Sequence, residues 1–169
     1  MIIHFDQLEF GLNDVRQEVD YSGMPLFNEF HFKEPVSLNL RIQKEKNEIY
    51  IRGSAAVLVE SVCDRCLRSC DRQLSGELMV TLKRLPVVTD VRSEPETDEI
   101  VYISEEEKKI ELNEIVHESL LLSLPMKFVC KEDCRGICPH CGNDLNVRQC
   151  QCVHIENPAD ERWQALNNI

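Results

Sequence analysis

The chain has 169 residues, with 30 acidic against 19 basic side chains, a formal charge of −11 at pH 7, and 43% apolar but only 6% aromatic content. A chain of this length buries roughly 68–70% of its extended surface, so an ordinary core is available, and disorder throughout is excluded. Nine cysteines fall short of the roughly 8–10% that marks a disulfide scaffold, and the odd number disfavours complete pairing.

The first residues, Met1-Ile2-Ile3-His4-Phe5-Asp6, lack the basic start and long apolar stretch of an export signal, so the expectation is a soluble, cytoplasmic protein. In a reducing compartment clustered cysteines read as metal ligands or redox centres. Further along, Val36, Leu38, Leu40 and Ile42 alternate with polar residues, the period of a half-buried strand. Lys46-Asn47 supplies a turn into a second strand over Ile49–Ile51 and Ala55–Val59, with a break or bulge expected at Gly53. Leu74, Gly76, Leu78, Val80 and Leu82 repeat the alternation. Together these predict an antiparallel sheet closed by Pro86, followed by a loop to Glu99 and a short strand over Ile100–Ile103.

Residues 90–118 hold eleven acids against Arg92, Lys108 and Lys109, so this segment alone carries −8. It reads either as a solvated linker or as a docking surface for a basic partner. From Ile110 to Leu124 the apolar positions fall at helical spacing and Pro125 forbids continuation, with Ser104/Glu107 or Asn113 as candidate starts. Asn157-Pro158 followed by Asp160-Glu161 predicts a closing helix whose Ala159, Trp163 and Leu166 share one face. The fold class expected is α+β: an antiparallel sheet packed with an amphipathic helix in a body spanning 1–125, then a small zinc-binding module at 126–169.

The strongest chemical signal is Cys138-Pro139-His140-Cys141-Gly142, followed by Cys150-Gln151-Cys152. The two-residue gap lets backbone amides turn around the thiolates, and the glycine completes the turn; four thiolates suit a tetrahedral, structural Zn2+. A second set, Cys63 and Cys66 with Cys130 and Cys134, would make another such site, leaving Cys70 spare. Alternatively Cys130 and Cys134 complete the tail site, and Cys63-x-x-Cys66 is a free dithiol or a redox pair. His140 and His154 are candidate replacement ligands. All-sulfur donor sets leave no open catalytic position, and no nucleophile motif or phosphate loop is present, which predicts a non-enzymatic protein. Arg65, Arg68 and Arg72, with Lys83 and Arg84, form the notable basic cluster and offer an RNA contact.

Val62-Cys63-Asp64-Arg65-Cys66-Leu67, the segment Ile110–Val116 leading to Leu120-Leu121-Leu122-Ser123-Leu124-Pro125, and the tail Cys134–Asn146 together resemble the YceD family of bacteria and plastids. The resemblance implies a role in accumulation of large-subunit ribosomal RNA, and it carries over no catalytic residues. The expected mechanism is an assembly factor whose acidic segment, Glu105, Glu106 and Glu107 at its centre, receives a basic large-subunit ribosomal protein or a pre-ribosomal particle. The alternatives are direct binding of precursor RNA through Arg65, Arg68 and Arg72, and a zinc- or thiol-dependent enzyme.

Overall fold

The computed structural model describes residues 1–28, 30–85 and 100–152. The expected acidic loop to Glu99 falls largely outside them, as do the closing helix and His154. Seven strands and one α-helix are formed among the described residues: β1 (Ile2–His4), β2 (Gly11–Val19), β3 (Val36–Lys44), β4 (Glu48–Val62), β5 (Ser69–Leu85), β6 (Ile100–Ser104), β7 (Lys109–Glu111) and α1 (Asn113–Leu122). The result is a sheet-dominated α+β fold, and none of its helices is long and apolar enough to cross a membrane.

The main sheet runs in the order β2-β3-β4-β5-β6. Its first four strands are antiparallel, but β6 lies parallel to β5, with Leu82 beside Val101 and Arg84 beside Ile103. That departs from the wholly antiparallel expectation. A tight hairpin cannot join parallel neighbours, so the long connection after β5 is what the parallel pairing requires. Alternation sets the buried face: Val36, Leu38, Leu40 and Ile42 of β3 align with Ile49, Ile51, Ala55 and Val57 of β4 and with Leu74, Leu78, Val80 and Leu82 of β5, all buried. Burial of each large aliphatic side chain contributes about 1.5–3 kcal/mol.

Gly53 does not break the second strand. β4 runs through it, with Leu40 on one side and Leu78 on the other. The sequence pattern also missed β2, whose faces are polar or half-buried, and the small β1–β7 ribbon, in which Ile3 pairs with Ile110.

Helix α1 is shorter than its apolar period. Ser104 caps no helix; its carbonyl accepts the Glu107 amide at 3.0 Å and its hydroxyl the Glu106 amide at 3.3 Å, forming the β6–β7 turn. At the other end Ser123 closes the last turn, its hydroxyl donating to the Leu120 carbonyl at 2.8 Å ahead of Pro125. Val116, Leu120 and Ser119 are buried against the sheet, and Tyr21, Phe27 and Phe30 share the same core. His117 stands edge-on to the rings of Phe27 and Phe30, with centroids 5.2 and 6.1 Å away.

The helix approaches β5 at Gly76, where a Cβ would run into the backbone carbonyl and hydroxyl of Ser119. Hydrogen at this position is therefore what permits α1 to lie against the sheet. Gly76→Ala is expected to cost about 1–3 kcal/mol through overpacking, read as a lowered midpoint in urea unfolding with the slope unchanged.

Candidate metal centre

The β4–β5 hairpin ends in the loop 63–68, which holds Cys63 and Cys66. The loop is a tight knuckle: the Leu67 amide donates to the Cys63 carbonyl and the Cys63 amide to the Arg68 carbonyl, each at 2.8 Å. In the tail the same device recurs. The Gly142 amide donates to the Cys138 carbonyl at 2.9 Å, and the Cys138 amide to the Asn143 carbonyl at 2.8 Å. Both turns close on a left-handed residue, Leu67 at φ 59° and Gly142 at φ 69°.

The structure brings all eight sequence-predicted sulfur donors into two sets. Cys63, Cys66, Cys130 and Cys134 form one; Cys138, Cys141, Cys150 and Cys152 form the other. Within each set the sulfurs lie within 4.8 Å of one another. In the first, Cys63 Sγ is 3.9 Å from Cys134 Sγ and Cys66 Sγ is 3.7 Å from Cys130 Sγ. A tetrahedron of sulfurs bonded at about 2.3 Å has edges of about 3.8 Å, so these separations suit a central ion. A disulfide needs about 2.05 Å, and all nine cysteines are free. The donor chemistry fits a soft or borderline cation such as zinc.

The ionisation of the thiols agrees with that reading. Backbone amides, that of Cys130 foremost, then those of Cys66 and Arg65, bring Cys63 down to about 6 against the effect of burial. The amides of Cys141 and His140 bring Cys138 down to about 6. Burial, then the neighbouring thiols, pushes Cys130 up to about 12, and the Cys141 thiol, then burial, pushes Cys152 to about 12. Each set thus contains a ready thiolate beside a thiol that resists ionising until a cation arrives. Cys70 packs against the first set as a ninth, half-buried thiol whose pKa burial raises.

What holds the tail in place was not visible in the sequence. Asp64 clamps Phe128 from both sides: its amide donates to the Phe128 carbonyl at 2.8 Å, and its carboxylate accepts the Phe128 amide at 2.7 Å. Arg65 donates to the carbonyls of Glu132 and Cys134 at 3.3 and 3.0 Å, and its own carbonyl accepts the Ile137 amide at 3.0 Å. Arg68 pairs with Asp144 at 2.6 Å. Asn146 donates to Cys134 Sγ at 3.4 Å and accepts the Arg135 amide at 2.9 Å. The only local sign was the turn composition of Asn143-Asp144-Leu145-Asn146; the Asp64–Phe128 and Arg65–Cys134 contacts span 64 and 69 residues. Arg72 is exposed on β5 opposite Val59, and Glu105, Glu106 and Glu107 are exposed at the β6–β7 turn.

The chain belongs to the YceD family, matching the family described as "Large ribosomal RNA subunit accumulation protein YceD" over residues 51–169. It is similar to an uncharacterised protein of Mycobacterium leprae (strain TN), with 25% identity over 135 residues, covering 80% of this chain and 59% of that one. A Mycobacterium tuberculosis (strain ATCC 25618 / H37Rv) protein is 28% identical over 131 residues, covering 78% and 60%. The chloroplastic "Large ribosomal RNA subunit accumulation protein YCED homolog 1" of Arabidopsis thaliana is 22% identical over 157 residues, covering 80% and 48%. The chain thus spans about half to three-fifths of the length of these curated relatives. No solved structure matches it.

The two knuckles differ in one testable respect. A left-handed leucine carries a steric penalty of about 1–2 kcal/mol that a glycine does not, and the exposed Leu67 side chain offers little burial in return. Gly142→Ala is expected to cost about 1 kcal/mol, whereas Leu67→Gly leaves stability unchanged or raised; chemical unfolding of the two variants against the parent checks the opposite signs.

Proposed function

We propose that this protein is a non-enzymatic factor supporting accumulation of large-subunit ribosomal RNA, with two structural zinc ions fixing its cysteine-rich tail from residue 126 to the body of residues 1–125. One zinc is held by Cys63, Cys66, Cys130 and Cys134, the other by Cys138, Cys141, Cys150 and Cys152. The observation that carries the metal assignment is the pair of four-sulfur sets at tetrahedral spacing. Membership of a family named for this RNA supports the ribosomal assignment. When bound, zinc would supply cross-linking, since all-thiolate coordination leaves no position for a substrate.

The partner best matched to the charge is a basic large-subunit ribosomal protein, alone or in a pre-ribosomal particle, in the cytoplasm. Glu105, Glu106 and Glu107 stand exposed on a turn, with no ion-pair partner among the described residues, inside a segment of charge −8. An acidic carrier suppresses wrong contacts of a basic client and releases it as salt or competing RNA screens the interface. Direct RNA contact through Arg65, Arg68 and Arg72 has weaker support, because Arg65 and Arg68 are engaged in holding the tail.

Elemental analysis of protein purified without added metal is expected to return two zinc ions per chain, falling to one when Cys63 and Cys66 are both replaced by serine; metal-free protein or disulfide-bonded cysteines would overturn the assignment. Capture of a purified basic large-subunit ribosomal protein is expected to weaken steeply with added salt and to be lost on reversing Glu105, Glu106 and Glu107 to lysine. Salt-independent capture would refute the electrostatic mechanism.

A further inference from the structure

The outward face of the main sheet carries a like-charge arrangement that folding does not call for. Arg41 of β3 stands in register with Arg52 of β4, while Arg16 of β2 stands opposite Asn39, two residues along β3 from Arg41. All three arginines are exposed. Like charges directly across a strand pair destabilise a sheet, so their gathering points to something outside the fold that favours them. Among the described residues only Arg41 has a carboxylate at ion-pair distance, Asp14 at 3.2 Å, and both partners of that pair lie open to water. Glu18, Glu45 and Glu77 stand at the margins of the face without reaching ion-pair distance of Arg16 or Arg52.

Two shallow depressions of about 390 and 380 Å³ open on this face, and Arg41 and Arg52 line both. Tyr50 and Gln43 border the first, Arg16 and Asn39 the second. Guanidinium forks match phosphate oxygens in bidentate geometry. An aromatic ring beside them offers a stacking surface, and amide side chains offer both a donor and an acceptor to a base edge.

We propose that this bare sheet face binds single-stranded RNA, with Arg16, Arg41 and Arg52 on the phosphates and Tyr50 stacking on a base. The surface is distinct from the acidic turn and from the cysteine knuckles, so it goes beyond the client-protein reading and rests only on the family's link to ribosomal RNA. The overall charge of −11 does not forbid it: screening confines electrostatic influence to about 8 Å at physiological salt, so a cationic face acts locally.

The test uses the full, metal-replete chain with a fluorescently labelled, mixed-sequence single-stranded RNA, followed by anisotropy across a salt series, with a duplex of the same length as comparator. The combined Arg16→Gln, Arg41→Gln and Arg52→Gln variant is expected to lose affinity about tenfold or more, and its log–log salt slope to flatten by about 2, the counterion release of three single-strand phosphate contacts. Its thermal unfolding temperature should equal or exceed the parent's, because a repulsive pair has been removed; that separates lost binding from lost folding. Reversal of Glu105, Glu106 and Glu107 should leave RNA binding in place while abolishing capture of the basic client, so each reading fails separately. Parent-like binding by the triple variant, no binding by the parent, equal binding of duplex, or a loss that follows Arg65→Gln, Arg68→Gln and Arg72→Gln instead would each overturn the proposal.

Discussion

Sulfur atoms from segments 64 and 71 residues apart meet at the end of the β4–β5 hairpin, and the position of everything after α1 depends on that meeting. Closing a chain loop of that length costs about 4 kcal/mol of entropy by the logarithmic law. The Asp64–Phe128 clamp and the Arg65 contacts offset part of it, at about 0.5–1.5 kcal/mol for each net hydrogen bond and more where a charge takes part. Structural zinc in small sites supplies about 10–16 kcal/mol, enough to decide the matter alone. The hydrogen bonds then set the direction in which the tail leaves the hairpin, while the proposed ion makes that departure permanent.

The two sulfur sets do not play equal parts. Cys63, Cys66 and Cys134 are buried, and only Cys130 of the first set is exposed; in the second, Cys138 alone is buried. The first set joins two remote segments, whereas the second folds a stretch of chain back on itself. Local closure needs fewer supporting contacts, which accounts for the short stretch from Cys138 to Cys152 managing with its own turn, the Ile137–Asp144 bridge and the Arg68–Asp144 pair. Asp144 belongs to both arrangements: it fixes Asn146, which in turn donates to Cys134 Sγ. A change at the second set is thereby passed to a ligand of the first.

The alternation in β3 and β5 was legible because one face of each strand is buried and the other wet. The eight sulfur ligands were legible because Cys-x-x-Cys spacing encodes a local turn. β2 escaped notice because its sides are exposed or half-buried, so its place comes from backbone pairing with β3 and leaves no apolar period. The parallel β6 escaped because five residues of mixed polarity do not reveal the direction of the neighbour they join. Gly53 misled because glycine in a strand commonly marks a bulge; here it stays in register, where an added Cβ would collide with the Asn39 carbonyl. Arg65 was noticed for its charge, but its chief contacts are backbone carbonyls of a remote segment, which no window of sequence displays.

Charge is sorted on this molecule and not averaged. The acids concentrate in the stretch that includes the β6–β7 turn, while Arg16, Arg41 and Arg52 share the open side of the central strands. Sorting has a physical cost, since like charges brought together repel one another, and a uniform mixture of signs would stabilise the sheet better. A factor that meets both components of a ribosomal particle has a use for the separation: a basic protein and an RNA strand would each be drawn to a different part of one small body. Screening over about 8 Å keeps the two fields from cancelling. As the client protein and the RNA come to neutralise each other, both holds weaken together, so the charge pattern that favours capture also favours release.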